Sequence, residues 1–355
     1  MEALQVSNLT INSHRGKYKV KFDNSDIKLK KCSFVLIDAN VSKLYPAIVL
    51  GLDPNKVIVI EANEKNKSLK FCQDLMSTLI SKGIKKNHEL VAIGGGIIQD
   101  ITGFIASIIF RGISWSFYPT TLLSQADSCI GSKTSINFLN IKNLVGTFYP
   151  PKEVVCNVNF LNTLKKSEIK SGIGEILHYY IYDGNPKTFE IEKKYNNILT
   201  DRSALTSHIQ ESLKIKKIMI QKDEFDTGQR RVFNYGHTFG HAIESLSNYS
   251  VPHGQAVTLG MDLANYISYK LGFLNLDKFT MLRRILTKNK PKFNLSGRID
   301  DYMTLLSKDK KNIDNSIICI LASDFGRLFI HKINDKENLK QIILEFFRDN
   351  NEKYS

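Results

Sequence analysis

The first half of the chain alternates short apolar runs with segments of helical spacing. Segments 33–40 (SFVLIDAN), 55–63 (NKVIVIEAN) and 114–121 (SWSFYPTT) are typical of buried strands that end in polar residues. Segment 68–83 has helical periodicity and stops at a glycine. Segment 89–107 combines a strand, a glycine turn and a helix. Strands that alternate with helices predict a parallel sheet with helices on its faces.

The second half has a different pattern, in which long amphipathic helices dominate. The predicted helices are 167–183, 202–223, 237–248 and 254–273. A chain of 355 residues is too long for one ordinary core, so two domains are expected. The pattern therefore predicts an α/β domain over 1–165, followed by a mostly α-helical domain over 166–355.

The composition is that of a globular protein, with 42% hydrophobic and 24% charged residues. The longest apolar run, FIASIIF (104–110), is far shorter than the ~20 residues that cross a bilayer, so no membrane contact is expected. The first ten residues lack the basic-then-apolar pattern of a signal peptide. Five scattered cysteines without a C-x-x-C pair predict reduced core residues in a cytoplasmic protein.

The net charge of +14 has three interpretations. Nucleic-acid binding is disfavoured, because the lysines are dispersed and no RNA-binding or recognition-helix motif is present. Binding of an anionic small molecule would need basic residues that converge on one pocket. A lysine-rich surface without a specific partner explains most of the charge, including the runs KKNHE and KDKKN.

The glycine turn is a candidate phosphate site. Gly94, Gly95 and Gly96 stand where a strand meets a helix, so a phosphate could approach the backbone and the free N–H groups of the helix. The G-x-G-x-x-G fingerprint is absent, and a tight structural turn is the alternative. Thr120 and Thr121 follow the next strand and favour a ligand site at the carboxyl edge of the sheet.

The stretch 125–151 is dense in small residues and turn formers. Its isolated charges, with the neighbouring amide of Asn143, are spaced between apolar residues: Asp127, Lys133 and Lys142. This spacing favours charges that face a ligand, and lysines on a surface loop are the alternative.

Three histidines suggest a metal site. His237 and His241 are four residues apart, so they share one face of a helix and can present two nitrogens to a zinc ion. The H-E-x-x-H motif is absent because residue 238 is threonine, so a carboxylate must come from elsewhere. His253 stands between a proline and a glycine, where a kinked loop would hold a ligand rigidly. Core packing is the alternative for the helical pair.

Taken together, these segments resemble 3-dehydroquinate synthases and the wider group of sugar-phosphate cyclases. The matching segments follow the family order over nearly the whole chain: GGGIIQDITGF, RGISWSFYPTTLLSQADSCIGSKT, KNLVGTFYPPKEVV, FLNTL, GIGEILHY, KDEFDTGQRRVFNYGHTFGHAIE and HGQAVTLGM. The resemblance implies a Rossmann-like NAD domain, an α-helical metal-binding domain and a homodimer.

The resemblance also implies the site residues. One divalent metal, Zn²⁺ or Co²⁺, would be held by Glu175, His237 and His253, which makes His241 a substrate contact. NAD would contact Asp38, Asn40, Glu64, Lys67, Gly95, Gly96, Asp100, Thr120, Thr121, Lys133, Lys142, Phe160, Leu161, Asn162 and Thr163. The implied catalytic residues are Asp127, Lys133, His178, Lys216, Arg230, Asn234 and His241. Further substrate contacts would be Asn143 and Lys310, with Arg111 reaching the phosphate from the partner subunit.

The implied reaction turns a phosphorylated heptulosonate into a carbocycle and eliminates phosphate. NAD removes a hydride and later returns it, and the metal polarises the oxygen of the reacting alcohol. Lysine and arginine side chains neutralise the phosphate and carboxylate of such an anionic sugar phosphate.

Three departures from the family pattern leave the substrate open. His178 stands where the family has the lysine of E-x-x-K, Ser132 replaces a glycine, and Gln99 also stands where glycine is common. One alternative is a related cyclase that acts on sedoheptulose 7-phosphate, although Arg230 and Asn143 favour a carboxylated substrate. A metal-dependent NAD polyol dehydrogenase and a relative that only binds the nucleotide are further alternatives.

Overall fold

The computed structural model of the protein describes residues 8–139, 141–295, 297–308 and 316–352. The chain divides into two compact units. The first contains the chain up to Lys165 together with Ile209–Phe225, and the second contains Lys166–His208 and the chain from Asp226 onward.

Eleven strands and eleven helices lie within the described residues. The strands are β1 (Leu9–Ser13), β2 (Gly16–Phe22), β3 (Phe34–Asp38), β4 (Val57–Ile60), β5 (Glu89–Gly94), β6 (Ser114–Pro119), β7 (Lys133–Phe138), β8 (Ile141–Phe148), β9 (Glu153–Cys156), β10 (Ile317–Asp324) and β11 (Arg327–Ile333). The helices are α1 (Ala39–Leu44), α2 (Leu69–Ser81), α3 (Gly96–Ile108), α4 (Lys166–Asp183), α5 (Lys187–Ile198), α6 (Arg202–Lys222), α7 (His237–Leu246), α8 (His253–Lys270), α9 (Leu276–Thr287), α10 (Ile299–Ser307) and α11 (Lys336–Glu352).

The first unit is built on a seven-stranded sheet in the order β1-β2-β9-β6-β5-β3-β4. Only β1 is antiparallel to its neighbour, and the other pairs are parallel. Strands β3 and β5 are buried almost throughout, because helices cover both faces of a parallel sheet. The register pairs Gly94 at the end of β5 with Pro119 at the end of β6, so the residues that follow both strands meet at one edge.

Much of the stretch 125–151, expected to be rich in turns, instead forms the antiparallel pair of strands β7 and β8, which is called the β7–β8 hairpin below. Its register shifts between Ile136 and Phe138, and Asn137 in this irregular part bridges to Ser68. The second half of α6 also belongs to the first unit, where the Ser212 hydroxyl donates to the Ala126 carbonyl.

The second unit is organised around α8, in which every residue from 254 to 268 is buried. Helices α4, α7, α9 and α11 and strand β10 pack against it. Its neighbours enclose it completely, so its polar residues need partners inside the protein, as Asp262 has in Arg283 and Lys290. The β10–β11 hairpin was not predicted, and it interrupts the otherwise helical composition of this half.

Two expectations from composition are tested directly. All five cysteines are free thiols; four are buried as predicted, but Cys32 is exposed and is not a core residue. None of the helices in the described part of the chain combines the length and apolar character that a bilayer crossing requires.

Candidate active site

Three side chains predicted as metal ligands converge in the second unit. Oε1 of Glu175 lies 3.1 Å from Nε2 of His253 and 3.6 Å from Nε2 of His237. The exposed fraction of the side chain is 2% for Glu175, 15% for His237 and 31% for His253. A buried carboxylate therefore faces two imidazoles that extend toward the surface.

Glycines bring α4 and α8 close enough to place two of these ligands together. Gly174 precedes Glu175, and Gly254 follows His253. A Cβ atom on Gly174 would overlap the carbonyl oxygen of Gly254, and one on Gly254 would overlap that of Ser171. The Gly254 N–H donates to the Ser171 hydroxyl at 3.0 Å, which satisfies a free N–H group in the first turn of α8.

A second close crossing, between α7 and α8, positions the third ligand. His237 is the first residue of α7 and follows Gly236, whose φ is 78°. A Cβ atom on Gly260 of α8 would overlap the carbonyl oxygen of Gly236. His253 is the first residue of α8, so the expected kinked loop is wrong and the ligand sits on a rigid helix instead.

The geometry fits a divalent ion. Two ligands about 2.1 Å from a tetrahedral metal are about 3.4 Å apart, close to the two separations observed here. Among the described residues, Oε1 of Glu175 accepts no hydrogen bond of regular geometry, and it is buried. One carboxylate and two imidazoles form a donor set of catalytic zinc sites.

His241 borders the same site. Nitrogen atoms of His237, His241 and His253 all lie within 4.8 Å of one another. His241 is the exposed member of this trio, and it lies one helical turn after His237. Its position suits either a fourth ligand or a group that contacts a metal-bound substrate.

Each candidate histidine ligand has a contact on its far nitrogen. Nδ1 of His237 lies 3.1 Å from the carbonyl oxygen of Tyr235, and Nδ1 of His253 lies 3.0 Å from Oε2 of Glu244. Burial lowers the pKa of His253, but the carboxylates of Glu244 and Glu175 together raise it by more. The pKa of His253 therefore lies well above its ordinary value. The same negative charge attracts a metal cation.

His178 is buried beside the second oxygen of Glu175. Its side chain is 1% exposed, and its Nδ1 lies 3.9 Å from Oε2 of Glu175. The ring packs edge-on against the rings of Tyr179, Phe233 and His237. His178 therefore contacts the ligand cluster from within the protein interior.

A second group of predicted residues lies in the first unit, at the carboxyl edge of the sheet. Gly95 is the N-cap of α3 and provides no side-chain cap, so the first N–H groups of that helix are available to an anion. The Thr120 N–H donates to the Gly94 carbonyl at 2.9 Å. A Cβ atom on Gly95 would lie 3.1 Å from Cγ2 of Thr121, so a larger residue would crowd the turn.

The neighbouring strand and turn extend this edge. Asp38 ends β3, and its carboxylate accepts the N–H of Asn40 at 2.7 Å, which caps α1. The predicted run from Phe160 to Thr163 lies in a short 3₁₀ turn, Val158–Thr163. The hydroxyl of Tyr45, the C-cap residue of α1, lies 3.0 Å from that of Thr163. This contact fixes the 3₁₀ turn to the end of α1.

Lys67 connects two residues that the resemblance assigned to different ligands. Its Nζ lies 2.6 Å from Oδ2 of Asp100 and 2.6 Å from Oδ1 of Asn143. Lys67 is 6% exposed, and Asn143 has a φ of 55°. Burial raises the pKa of Asp100, although the Lys67 ammonium opposes this shift. Lys67 therefore holds α3 to β8 from inside the unit.

Glu64 and Lys142 lie at the border of this network. Nδ2 of Asn137 donates to Oε1 of Glu64 at 2.8 Å, and Nζ of Lys142 lies 3.8 Å from the same oxygen. The hairpin is thereby attached to the segment that precedes α2.

Asp127 and Lys216 form a pair that joins α6 to the first unit. Nζ of Lys216 lies 2.7 Å from both the carbonyl oxygen and Oδ1 of Asp127. Lys216 is buried. Both residues were predicted to act on the substrate, and nothing in the sequence signalled that they contact each other.

Comparison with known proteins identifies the family. Profiles described as 3-dehydroquinate synthase N-terminal and C-terminal match residues 57–171 and 172–312. The 3-dehydroquinate synthase of Dictyoglomus turgidum is 40% identical over 294 residues, which cover 82% of this chain and 83% of that protein. The chain belongs to the 3-dehydroquinate synthase family. The predicted family and enzyme class, a phosphate-eliminating cyclase, are therefore confirmed.

A second 3-dehydroquinate synthase and two solved structures with the same fold match over nearly the full length. The 3-dehydroquinate synthase of Campylobacter concisus is 33% identical over 351 residues, covering 96% of this chain and 99% of that protein. Among solved structures, a 2-deoxy-scyllo-inosose synthase complexed with carbaglucose-6-phosphate, NAD⁺ and Co²⁺ has a TM-score of 0.85 at 22% identity, covering 96% and 99% of the two chains. The 2-epi-5-epi-valiolone synthase ValA of Streptomyces hygroscopicus, with NAD⁺ and Zn²⁺ bound, has a TM-score of 0.81 at 23% identity, covering 92% and 96%. The predicted fold class is thus confirmed.

The remaining predicted residues of this 3-dehydroquinate synthase family member are Arg230, Asn234, Lys133 and Lys310. Arg230 is buried in the 3₁₀ turn Gln229–Asn234, where the side chain of Asn234 donates to a carbonyl in the same turn. Lys133 begins β7 and is exposed. Lys310 lies outside the described residues.

Arg111 lies at the opposite edge of the sheet from Thr120. It stands in the turn before β6, whereas Thr120 follows the other end of that strand. A six-residue strand is about 20 Å long, so Arg111 and Thr120 of one chain cannot contact one molecule the size of a sugar phosphate. Both Phe110 and Arg111 have positive φ, 50° and 60°, which fixes this turn in an uncommon conformation.

Two residues that support the ligands were not predicted from the sequence. Glu244 contacts His253, and Ser171 caps the first turn of α8. Glu244 is seven residues after His237 and three after His241, so the helical spacing already placed it on the ligand face. Ser171 gave no comparable signal, because its contact depends on how two helices cross.

Proposed function

We propose that the protein is a 3-dehydroquinate synthase that converts a phosphorylated heptulosonate into a carbocycle with loss of phosphate. The observation that carries this proposal is the buried carboxylate of Glu175 facing His237 and His253 in a chain of this family. NAD and one divalent ion, zinc or cobalt, are the proposed cofactors; related cyclase structures contain NAD⁺ with Co²⁺ or Zn²⁺.

The proposed ligands of the ion are Glu175, His237 and His253. When bound, the ion polarises the oxygen of the reacting secondary alcohol, which eases loss of its proton. The protein's part is to fix three donors on helices that cross at glycines, so the site is formed before the substrate arrives. His241, one turn along α7, would contact the substrate beside the ion.

The proposed NAD site is the carboxyl edge of the sheet in the first unit. NAD supplies a hydride acceptor and donor, and it ends the cycle unchanged. The uncapped N-terminus of α3 would bind the pyrophosphate, and the glycine turn leaves room for it. The remaining proposed contacts are those predicted from the family: Asp38, Asn40, Glu64, Lys67, Asp100, Thr120, Thr121, Lys133, Lys142 and Phe160 to Thr163.

Basic residues would neutralise the substrate. Arg230 suits a carboxylate or phosphate because a guanidinium can donate two parallel hydrogen bonds. Lys216, already paired with Asp127, would provide a positioned ammonium. Loss of one such contact should cost about 2–4 kcal/mol of transition-state stabilisation. Further proposed contacts are Lys133, Asn143, Asn234, His178 and Lys310.

We further propose a homodimer in which Arg111 binds the phosphate in the partner's site. Arg111 is exposed and lies at the edge of the sheet away from the nucleotide edge of its own chain. The free thiols fit a cytoplasmic enzyme.

The test is an assay that follows phosphate and NADH together. The protein is supplied with NAD, Zn²⁺ or Co²⁺, and either 3-deoxy-D-arabino-heptulosonate 7-phosphate or sedoheptulose 7-phosphate. We expect phosphate release from the heptulosonate without net NADH, because the hydride is returned. Phosphate release from sedoheptulose 7-phosphate alone would assign another cyclase, and NADH accumulating in proportion to substrate would contradict cyclisation.

A further inference from the structure

We infer that Glu244 is a positioning residue that fixes the metal ligand His253. Oε2 of Glu244 lies 3.0 Å from Nδ1 of His253, and its side chain is 14% exposed. This inference rests on the proposed metal site. It adds a carboxylate that does not itself contact the ion.

The contact determines which nitrogen His253 presents. A neutral imidazole has one N–H and one lone pair, and the lone pair binds a metal. In the neutral ring, a carboxylate on Nδ1 keeps the proton there, so the lone pair is on Nε2, and Nε2 faces Glu175 at 3.1 Å. Glu244 and Glu175 thus contact opposite nitrogens of one ring, so they cannot both bind the same ion in this arrangement.

His253 needs such a partner more than His237 does. Its side chain is 31% exposed, against 15% for His237. The Tyr235 carbonyl that contacts Nδ1 of His237 is neutral and comes from the same local turn. The Glu244 contact is charged and links α7 to α8, so it also makes the imidazole a stronger ligand.

The backbone around Glu244 is fixed independently of the metal. The carbonyl of Glu244 accepts the N–H of Tyr249 at 2.8 Å and the hydroxyl of Ser247 at 2.9 Å. The end of α7 is therefore closed by local hydrogen bonds, and Glu244 can hold His253 in place before an ion binds.

The test compares zinc affinity in a matched set of variants. Metal-free protein would be titrated with Zn²⁺ against a chromophoric chelator for wild type, Glu244→Ala, Glu244→Gln, Glu175→Ala and Glu190→Gln. Glu190 is a suitable control because it carries the same charge on an exposed side chain paired with Lys194. We expect about 10–100-fold weaker binding for Glu244→Ala and a smaller loss for Glu244→Gln, which keeps a hydrogen-bond acceptor.

A second measurement separates positioning from folding. Visible absorption of the Co²⁺-loaded protein reports ligand geometry; we expect its bands to shift in Glu244→Ala and not in Glu190→Gln. A Glu244→Ala protein that loses thermal stability without metal, yet keeps wild-type zinc affinity and Co²⁺ spectrum, would overturn the inference. Equal zinc affinity in wild type and Glu175→Ala would instead refute the metal site itself, and the role of Glu244 with it.

Discussion

At the scale of single residues, His178 is one of the three departures from the expected family pattern. An ammonium at a position that is 1% exposed needs a counter-charge, whereas an imidazole can remain neutral. His178 has aromatic rings around it and the carboxylate of Glu175 at 3.9 Å. The His178 ring therefore fills the interior beside Glu175 without needing a charge of its own.

The proposed catalytic role of His178 can be separated from its packing role. His178→Phe keeps a ring of similar size and removes both nitrogens, so the free energy of unfolding should change by less than about 1.5 kcal/mol. We expect kcat/KM to fall by about 100-fold or more if the nitrogens take part in proton transfer. Steady-state kinetics and urea unfolding measure the two effects.

The control for this variant is His331→Phe. His331 also lies among aromatic rings, those of Phe273 and Phe329, on a strand that carries no proposed site residue. It should keep full activity. A fully active His178→Phe enzyme would remove His178 from the catalytic set and leave it a packing residue.

Residue types were predictable from the sequence, but several of their contacts were not. The family resemblance placed Glu175, His237 and His253 in one site, and the structure brings them together. The pairing of Lys67 with Asn143 was not foreseen, because both were assigned to ligands and their separation is 76 residues. A contact between residues that are far apart in the sequence leaves no periodic pattern from which it could be predicted.

At the scale of elements, segments with strong hydrophobic periodicity were predicted correctly as helices, and segments with weak periodicity were not assigned correctly. The helices α2, α7 and α8 lie within a few residues of their predicted bounds. The β7–β8 hairpin was mistaken for a turn-rich stretch because its strands expose many side chains and carry an irregular register. His253 was expected on a loop because Pro252 and Gly254 flank it, yet Pro252 is the N-cap of α8, outside the helical hydrogen bonds that an interior proline would break.

The crossing of α4 and α8 gives a prediction about Gly254. A methyl group at this position would overlap the Ser171 carbonyl, so Gly254→Ala must separate the two helices. We expect the free energy of unfolding to fall by about 1–3 kcal/mol and zinc affinity to fall with it, because Glu175 and His253 lie on the separated helices. Urea unfolding and chelator competition measure both. Unchanged zinc affinity in a destabilised variant would show that the crossing does not position the ligands.

A pH-dependent contact ties the end of α6 to the β1–β2 turn. The Glu224 carboxylate, just after α6, accepts the Ser13 hydroxyl at 2.5 Å and the His14 N–H at 2.8 Å. Burial raises the pKa of Glu224, but these hydrogen bonds outweigh it, and the net pKa lies below the ordinary 4.5. Because the pKa is lowered in the folded protein, the contact stabilises above pH 4.5 and its contribution disappears as the pH falls through the folded value.

The variant Glu224→Gln tests this direction of the pH dependence of stability. We expect the variant to be about 1–2 kcal/mol less stable than wild type near pH 7, since a charge-assisted hydrogen bond is lost from a side chain that is 12% exposed. The difference should shrink as the pH is lowered from 5 toward 3, as measured by chemical unfolding at each pH. A difference that stays constant over this range would assign the effect to packing. Glu190→Gln serves again as the control.

At the scale of the whole molecule, the two compact units are not two consecutive blocks of sequence. Residues 209–225 belong with the first unit, although they continue a helix that begins in the second. No composition shift marks residue 209, because α6 is one uninterrupted helix of 21 residues. Its position in the first unit follows from contacts such as Lys216 with Asp127, which only the folded chain brings together.

The proposed homodimer can be tested by mixing two inactive variants. Arg111 and the proposed nucleotide edge lie at opposite ends of β6, so an Arg111 that binds substrate is expected to serve another subunit. Arg111→Ala and His237→Ala should each be inactive alone, the first for lack of the phosphate contact and the second for lack of a metal ligand. After the two are unfolded and refolded together, mixed dimers should hold one intact site, with the metal ligands of one chain and Arg111 of the other. Random pairing predicts about one quarter of wild-type activity per subunit.

The mixing experiment has a clear contrary outcome. If Arg111 acted within its own chain, every site in a mixed dimer would lack either the arginine or the metal ligand, and no activity would return. Refolded wild type fixes the scale, and mixing His237→Ala with Glu175→Ala is the matched control, because both changes damage the metal site of their own chain and should not complement. Recovery in the Arg111 mixture alone would thus show that one subunit completes the active site of the other.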